Sequence, residues 1–361
     1  MAQARATRAR LAPELFDLPV EKMRAGWYTD AYFNHARATL LEDGRHPHVV
    51  MQVFQKQHSW LGGMDEAIAI LTLCAHDHDG LEIRALYDGD RIEPWETVMT
   101  IEGDYTAFAH LETAYLGTLA RRTLITTNVV HVLDAANGKP IIFMPARHDH
   151  HRVQTGDGYA AYVAGQITGN EIGVTTDEQA SWWGGRGVGT VPHSLIASYG
   201  GDTVLAARKF ADWAPADMNV TVLVDFENDS VRTALEVADA LGTRLWGVRL
   251  DTAESLVDRS LWNELSDFRP TGVNERLVWK VREALDAAGH RDVKIVASGG
   301  FTVEKIRAFE DEGVPVDAYG VGSSLIRGSN DFTADVVVTD GRPAGKVGRE
   351  LRENPRLELV T

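Results

Sequence analysis

The residues best suited to chemistry follow short apolar runs in the second half of the chain. Asp225 ends the run VTVLV, Asp251 ends LWGVRL, and Ser298-Gly299-Gly300 follows VKIVA. A second glycine-rich turn, Gly320-Val321-Gly322-Ser323, follows VDAY. Glycine-rich turns let backbone N–H groups approach an anion closely, and carboxylates at such positions bind Mg²⁺ or ribose hydroxyls. The pattern therefore predicts a phosphate site with acidic groups beside it.

Three histidine-containing segments are open to more than one interpretation. His193 follows Gly189-Thr190-Val191-Pro192, a position where a structural hydrogen bond is the commoner role. The run HDHH at 148–151 directly follows Arg147 at the end of a strand, and it fits either a metal site or a solvated loop. The run HDHD at 76–79 lacks the i, i+4 spacing of a helical zinc site, so we interpret it as a solvated loop.

The elements that position these residues alternate regularly from about residue 141. Continuous apolar strands alternate with amphipathic helices over 231–241, 274–288 and 302–312, and this order is typical of parallel strands covered by helices. We predict an irregular or incomplete βα barrel of six or seven units, whose catalytic face is the side where the strands end. An open doubly wound sheet is the alternative.

The first third of the chain has a different organisation. Short strands are predicted over 49–54 and 98–102, and helices over 64–74 and 105–119. We therefore divide the chain into a flexible tail (1–17), an α+β N-terminal domain (18–123), a barrel catalytic domain (124–330) and a C-terminal segment (331–361) that returns to the N-terminal domain.

Charge and composition exclude several classes of partner. The formal net charge is −16, which argues against nucleic acid and anionic membranes. The single cysteine, Cys74, excludes an internal disulfide and a multi-cysteine zinc site, and it fits a reducing compartment. The start of the chain lacks the apolar region of a secretory signal, and no apolar run approaches the length of a membrane span. We expect a cytoplasmic protein.

Eight motifs, in this order, resemble those of the nicotinate phosphoribosyltransferase family in its shorter archaeal and bacterial form. The resemblance covers nearly the whole chain, from about Leu18 to Arg349. The motifs are PVEK at 19–22 with YTDAYF at 28–33, ETAYLG at 112–117, AR at 146–147, GTVPH at 189–193, GVRLD at 247–251, ASGG at 297–300, GVGS at 320–323 and FTADV at 332–336.

The resemblance implies a type II phosphoribosyltransferase fold and a homodimer, or a larger homo-oligomer, with shared active sites. It implies that the Tyr28 region reaches the neighbouring subunit's site and that Arg147 contacts an anion. It further implies that ATP phosphorylates His193 and that Asp225 and Asp251 lie near ribose and Mg²⁺. The remaining substrate contacts that we expect are Thr190, Arg249, Ser298, Gly299, Gly300, Gly320, Gly322 and Ser323.

The reaction implied by the resemblance joins nicotinate to phosphoribosyl pyrophosphate and gives nicotinate mononucleotide and pyrophosphate, with ATP as co-substrate. Nicotinamide or quinolinate as acceptor remains an alternative. Many relatives carry Asp-Ser-Gly-Asp where this chain has Asp251-Thr252-Ala253-Glu254, so a non-catalytic relative is a further alternative. A Schiff-base aldolase would need a lysine at the end of a strand, whereas Lys294 lies early in its strand.

Overall fold

The computed structural model describes residues 9–264 and 268–360, which form two compact units. The first unit contains residues 9–130, 159–167 and 328–360, and the second contains residues 131–158 and 168–327. Residues 1–8 of the tail expected over 1–17 lie outside the described residues. Residues 124–130, 159–167 and 328–330 belong to the first unit, although they were predicted to lie in the barrel domain.

A six-stranded antiparallel sheet forms the centre of the first unit. The strands of this unit are β1 (His48–Gln55), β2 (Ser59–Trp60), β3 (Glu82–Ala85), β4 (Arg91–Ile92), β5 (Thr97–Asp104), β12 (Phe332–Thr339), β13 (Arg342–Pro343) and β14 (Glu358–Leu359). The order in the sheet is β13-β12-β1-β5-β3-β14, and β2 pairs with β4 in a separate ribbon. The C-terminal strand β12 pairs antiparallel with β1, as expected for a segment that returns to the first domain.

Part of the expected tail packs against the first unit. The Arg10 guanidinium pairs with the Asp65 carboxylate at 2.9 Å, and the Leu11 backbone N–H donates to the same carboxylate. Phe16 is buried in the 3-10 helix Pro13–Phe16. The burial of Phe16 and the ion pair of Arg10 hold residues 10–16 in place. The tail was predicted from the Ala- and Arg-rich residues 1–10, whose composition gives no sign of these contacts.

Six parallel strands form the centre of the second unit. They are β6 (Ile141–Phe143), β7 (Ile172–Val174), β8 (Val220–Leu223), β9 (Leu245–Leu250), β10 (Lys294–Ala297) and β11 (Ala318–Val321), and their order is β7-β6-β11-β10-β9-β8. The segment 188–191 joins the two ends, because the Val188 N–H donates to Val174 O and the Val191 N–H donates to Thr221 O. The strands therefore close into an irregular barrel, as predicted, rather than an open sheet.

Helices follow the barrel strands where the sequence predicted them. The helices of the described chain are α1 (Val20–Arg24), α2 (Ala31–Glu42), α3 (Met64–Cys74), α4 (Tyr105–Phe108), α5 (Glu112–Ala135), α6 (Gln154–Thr168), α7 (Asp177–Ala180), α8 (His193–Ser198), α9 (Thr203–Trp213), α10 (Ser230–Leu241), α11 (Glu275–Ala287) and α12 (Val303–Asp311). The side chains of Asn274 and Thr302 accept hydrogen bonds from the first turns of α11 and α12, which sets where both helices begin. Among the residues described, no helix is both long and apolar enough to span a membrane.

Two elements differ from the sequence prediction. The helix expected over 105–119 is three pieces: α4, a 3-10 turn at Ala109–Leu111, and α5, which continues to Ala135. The strand expected over 316–319 is shifted to Ala318–Val321, so Gly320 lies inside β11 rather than in a loop. Main-chain pairing with β10 and β6 extends this strand through its glycine, and sequence periodicity carries no signal for such pairing.

Candidate functional site

A cavity of about 470 Å³ lies where the barrel strands end. Every lining residue belongs to the second unit, and most of them come from the last residue of a strand or the loop that follows it. Because the carboxyl ends of parallel strands meet on one side of a barrel, residues far apart in sequence converge there. The lining residues are Met144, Ala146, Arg147, His148, Thr175, Thr190, Pro192, His193, Ser194, Leu223, Arg249, Asp251, Ser298, Gly299, Gly320 and Gly322.

One hydrogen-bonded network joins the ends of β9 and β10. The Arg249 guanidinium donates from Nε to Ser298 Oγ at 2.8 Å and from Nη1 to Thr190 Oγ1 at 3.3 Å. Its Nη2 lies 3.4 Å from Asp251 Oδ2. Ser298 Oγ also lies 2.7 Å from Asp251 Oδ1 and 2.9 Å from Leu250 O. These contacts fix both an arginine and a carboxylate at the cavity wall.

The Ser298 hydroxyl has no proton left to donate to an anionic ligand in this arrangement. A hydroxyl carries one proton and accepts through two lone pairs. Arg249 Nε supplies one hydrogen bond, and the single proton goes to Asp251 Oδ1 or to Leu250 O. Ser298 is only 1% exposed. Its hydroxyl therefore holds Arg249 and Asp251 in place, and its expected contact with substrate stays a prediction.

A second pair of groups joins the end of β8 to the start of α8. His193 Nε2 lies 3.0 Å from Asp225 Oδ1, and the His193 side chain is 43% exposed whereas that of Asp225 is 7% exposed. The hydrogen bond with Asp225 raises the pKa of His193 above its ordinary value, while partial burial opposes the rise. Because Asp225 engages Nε2, the second ring nitrogen, Nδ1, is the one left for chemistry.

Close approaches explain two of the glycines. A Cβ at Gly320 would lie 2.8 Å from Met144 Sδ and 3.1 Å from Ser298 Cβ, so a larger residue would force these neighbours apart. Gly300 has φ +71°, and a Cβ there would collide with the Glu254 carboxylate. Glu254 is the last of the three residues that depart from the family's Asp-Ser-Gly-Asp pattern, and it packs against the glycine turn after β10.

The structure brings most of the expected site residues together in the cavity wall. Gly300 and Ser323 are not among the lining residues, and Asp225 stands behind His193 rather than in the wall. Tyr28 lies in the first unit between α1 and α2, where it is 46% exposed. Its expected contact with a neighbouring subunit's site stays a prediction.

Several wall residues were missed from the sequence. Met144, Thr175 and Leu223 come from the ends of β6, β7 and β8, where apolar and small polar residues carry no chemical signal. His148 carried a signal, since it opens the histidine run after Arg147. That run was interpreted as a metal site or a solvated loop, and the structure instead places its first histidine in the cavity wall.

The donor set suits Mg²⁺ only if the substrate supplies most of the ligands. Within the described ranges, 9–264 and 268–360, no group of three or more His, Cys, Asp or Glu side chains could hold a metal ion. Asp251 is the one carboxylate among the wall residues, and Asp225 lies outside the wall with its Oδ1 on His193 Nε2, so its expected role as a metal ligand stays a prediction. Mg²⁺ commonly binds through one or two carboxylates together with substrate phosphates and water. Asp251 therefore fits a Mg²⁺ ion that arrives with a pyrophosphate group.

Comparison with known proteins agrees with this geometry. A family model described as quinolinate phosphoribosyl transferase, N-terminal domain, matches residues 30–123. The crystal structure of a nicotinate-nucleotide pyrophosphorylase from Pyrococcus furiosus aligns with a TM-score of 0.79 and 29% identity, covering 99% of this chain and 86% of that one. The human nicotinic acid phosphoribosyltransferase aligns with a TM-score of 0.64 and 18% identity, covering 88% of this chain and 75% of that one, which is a likeness of fold.

The fold and the strand-end site define a type II phosphoribosyltransferase. A nicotinate phosphoribosyltransferase of Mycobacterium tuberculosis is 31% identical over 274 residues, which cover 73% of this chain and 55% of that protein. The chain belongs to the nicotinate phosphoribosyltransferase family. It spans about half the length of the first of these relatives.

Proposed function

We propose that this protein is a nicotinate phosphoribosyltransferase of NAD salvage, which transfers the phosphoribosyl group from phosphoribosyl pyrophosphate to nicotinate. The products are nicotinate mononucleotide and pyrophosphate. The observation that carries the proposal is the convergence of Arg249, Asp251, His193 and two glycine-rich strand ends on one cavity of about 470 Å³. A site with fixed cations, one carboxylate and close-approach glycines suits a phosphorylated sugar better than an uncharged ligand.

Two arginine side chains in the cavity wall are suited to bind the anionic groups of the substrates. Arg147 and Arg249 place two guanidinium groups in the wall of a cavity that belongs to a chain of net charge −16. Arg249 is fixed by Ser298, Thr190 and Asp251, while Arg147 is exposed and is available to an anion. Fixed guanidinium groups recognise phosphate and carboxylate oxygens through paired N–H donors. We assign these two residues to the anionic ends of the substrates.

Bond breaking at the ribose develops positive charge on the sugar as pyrophosphate leaves. The Asp251 carboxylate, held by Ser298 and Arg249, stabilises this positive charge without having to reorient. The nicotinate nitrogen is a weak nucleophile, so the rate depends on holding it in line with the breaking bond. When bound, Mg²⁺ would supply charge neutralisation for the departing pyrophosphate, with Asp251 as its protein ligand.

His193 couples the transfer to ATP in this proposal. A neutral imidazole with Nε2–H donated to Asp225 exposes the Nδ1 lone pair, which attacks the γ-phosphorus of ATP and releases ADP. Hydrolysis of the resulting phosphohistidine would then make mononucleotide formation more favourable. Asp225 acts as the group that selects this tautomer.

Quinolinate is the second candidate acceptor. The matching N-terminal family model is described as a quinolinate phosphoribosyl transferase, which favours this alternative. Quinolinate carries one more carboxylate than nicotinate, so its binding would call for a further unpaired cation in the wall. The relatives named nicotinate phosphoribosyltransferase favour the acid with one carboxylate.

We also propose a homodimer, or a larger homo-oligomer, as the working form. Trp27, Tyr28 and Tyr32 are 76%, 46% and 62% exposed in the first unit. Exposed aromatic groups of this size are enriched at protein interfaces. Sedimentation velocity of the wild type and of Tyr32→Ala tests this, with a smaller species expected for the variant.

A product assay tests the proposed function. The enzyme is incubated with phosphoribosyl pyrophosphate, Mg²⁺ and nicotinate, nicotinamide or quinolinate, each with and without ATP. We expect nicotinate mononucleotide from nicotinate, with ATP raising the yield. If mononucleotide forms from quinolinate and from neither of the other acceptors, the second candidate function replaces the proposal. If no acceptor gives mononucleotide, both candidate functions are contradicted.

A further inference from the structure

His148 is held in the cavity wall with its imidazole facing a glycine. It ends the 3-10 turn Ala146–His148, whose geometry is fixed by a 2.7 Å hydrogen bond from the His148 N–H to Pro145 O. A Cβ at Gly322 would lie 3.6 Å from His148 Nε2 and 3.8 Å from Cε1. The imidazole therefore lies beside the glycine turn that follows β11, and both line the same cavity.

The hydrogen-bonding capacity of His148 is unused by the protein. Within residues 9–264 and 268–360, its ring nitrogens make no hydrogen bond or ion pair with another side chain, and the same holds for the Arg147 guanidinium beside it. The other basic wall residues, Arg249 and His193, are held by protein partners. An imidazole without a partner beside a guanidinium without a partner is a donor pair suited to anionic oxygens.

The position of His148 selects which anion it meets. The glycine turns after β10 and β11 form the phosphate site that the sequence predicts, and His148 faces the second of these turns at Gly322. A phosphate held against the backbone of Gly322 would present an outward oxygen to the His148 ring. The acceptor's carboxylate would instead meet Arg147.

We propose that His148 is a substrate-binding residue that donates a hydrogen bond to the phosphate of the phosphoribosyl group, opposite Gly322. This inference rests on the proposed function for the identity of the ligand. The first residue of the histidine run after Arg147 thus has a role in binding the sugar phosphate. It also separates the two neighbours by task, with His148 on phosphate and Arg147 on carboxylate.

The test measures calorimetric binding of phosphoribosyl pyrophosphate and of nicotinate mononucleotide, together with KM for phosphoribosyl pyrophosphate and for nicotinate. The variants are His148→Ala, His148→Lys and a matched control, His151→Ala, which removes an exposed imidazole of the same run that is not in the cavity wall. A hydrogen bond to a charged group corresponds to roughly a 10- to 100-fold change in affinity.

We expect His148→Ala to weaken binding of both phosphorylated ligands by about 10- to 100-fold and to leave KM for nicotinate within about threefold. His148→Lys should restore most of the loss, because it restores a cationic donor. His151→Ala should match the wild type. A His148→Ala protein with wild-type affinity for phosphoribosyl pyrophosphate, or one whose loss falls on nicotinate instead, would overturn the inference.

The binding arm separates this inference from the proposed function. If the wild type binds phosphoribosyl pyrophosphate but makes no mononucleotide, the proposed function fails while the His148 contact is still measured by calorimetry. If the wild type turns over and His148→Ala is indistinguishable from it, only the inference fails.

Discussion

Replacing Ser298 with alanine tests whether its hydroxyl, which holds Arg249 and Asp251, contributes to turnover. The hydroxyl lies 2.8 Å from Arg249 Nε and 2.7 Å from Asp251 Oδ1. Its removal deprives two charged groups of one partner each, and hydrogen bonds to charged groups are worth roughly 1.5–3 kcal/mol. The side chains of Arg249 and Asp251 are 15% and 20% exposed, so water replaces part of the loss. A net effect of about 2 kcal/mol corresponds to roughly a 30-fold lower kcat/KM.

The assay is steady-state turnover of phosphoribosyl pyrophosphate with nicotinate, together with thermal unfolding. Ser324→Ala is the matched control, because Ser324 Oγ donates to Phe301 O at 2.9 Å and does not line the cavity. We expect the kinetic loss for Ser298→Ala only, with small changes in melting temperature for both variants. Wild-type kinetics in Ser298→Ala would refute the positioning role. A loss of equal size in Ser324→Ala would attribute the effect to loop packing.

Three further predictions follow from charged groups. Asp225→Asn removes the principal cause of the raised pKa of His193. Because ATP stimulation needs a neutral imidazole, it should extend to lower pH and fall in amplitude in this variant. An unshifted pH profile of ATP stimulation would count against the pairing of His193 with Asp225. Asp251→Asn should lower kcat by about 100-fold and raise the Mg²⁺ concentration needed for half-maximal rate, and unchanged kinetics would remove Asp251 from the site. Burial and the nearby Asp65 carboxylate raise the pKa of Asp88 to about 8. The folded state therefore binds the Asp88 proton more tightly than the unfolded state does. The free energy of unfolding should consequently fall as pH rises from about 4 to 8. Asp88→Asn should reduce that fall by on the order of a few kcal/mol in urea titrations at pH 5 and pH 8.5, and parallel wild-type and variant curves would contradict it.

The barrel could be predicted because each of its signals is local. Asn274 and Thr302 cap helices at the expected places, and helix α10 is followed directly by Gly242, which has φ +53°. Apolar runs bounded by such signals specify strands and helices without knowledge of their neighbours. Closure of the barrel depended on the segment 188–191, whose hydrogen bonds to two strands come from tertiary packing that periodicity does not encode.

The site was predictable where residue type limits function and less so where geometry decides. The glycine turns and the aspartates indicated where the cavity lies, because few structural roles require these residue types at the ends of successive strands. The division of labour among them was not predictable. Ser298 has the residue type of a phosphate ligand, yet its hydroxyl proton goes to a protein acceptor and its oxygen accepts from Arg249. Asp225 has the residue type of a metal ligand, and the structure adds a hydrogen bond between its Oδ1 and His193 that the sequence did not indicate.

The central claim is that the ends of the barrel strands grip one phosphoribosyl group. The most direct measurement is a crystal structure of the enzyme with nicotinate mononucleotide and Mg²⁺. The account predicts that the ribose lies beside Asp251 and that the phosphate contacts the backbone of Gly299 or Gly322 within hydrogen-bond distance. Nucleotide density outside this cavity, or in it with the phosphate directed away from both glycine turns, would contradict the account.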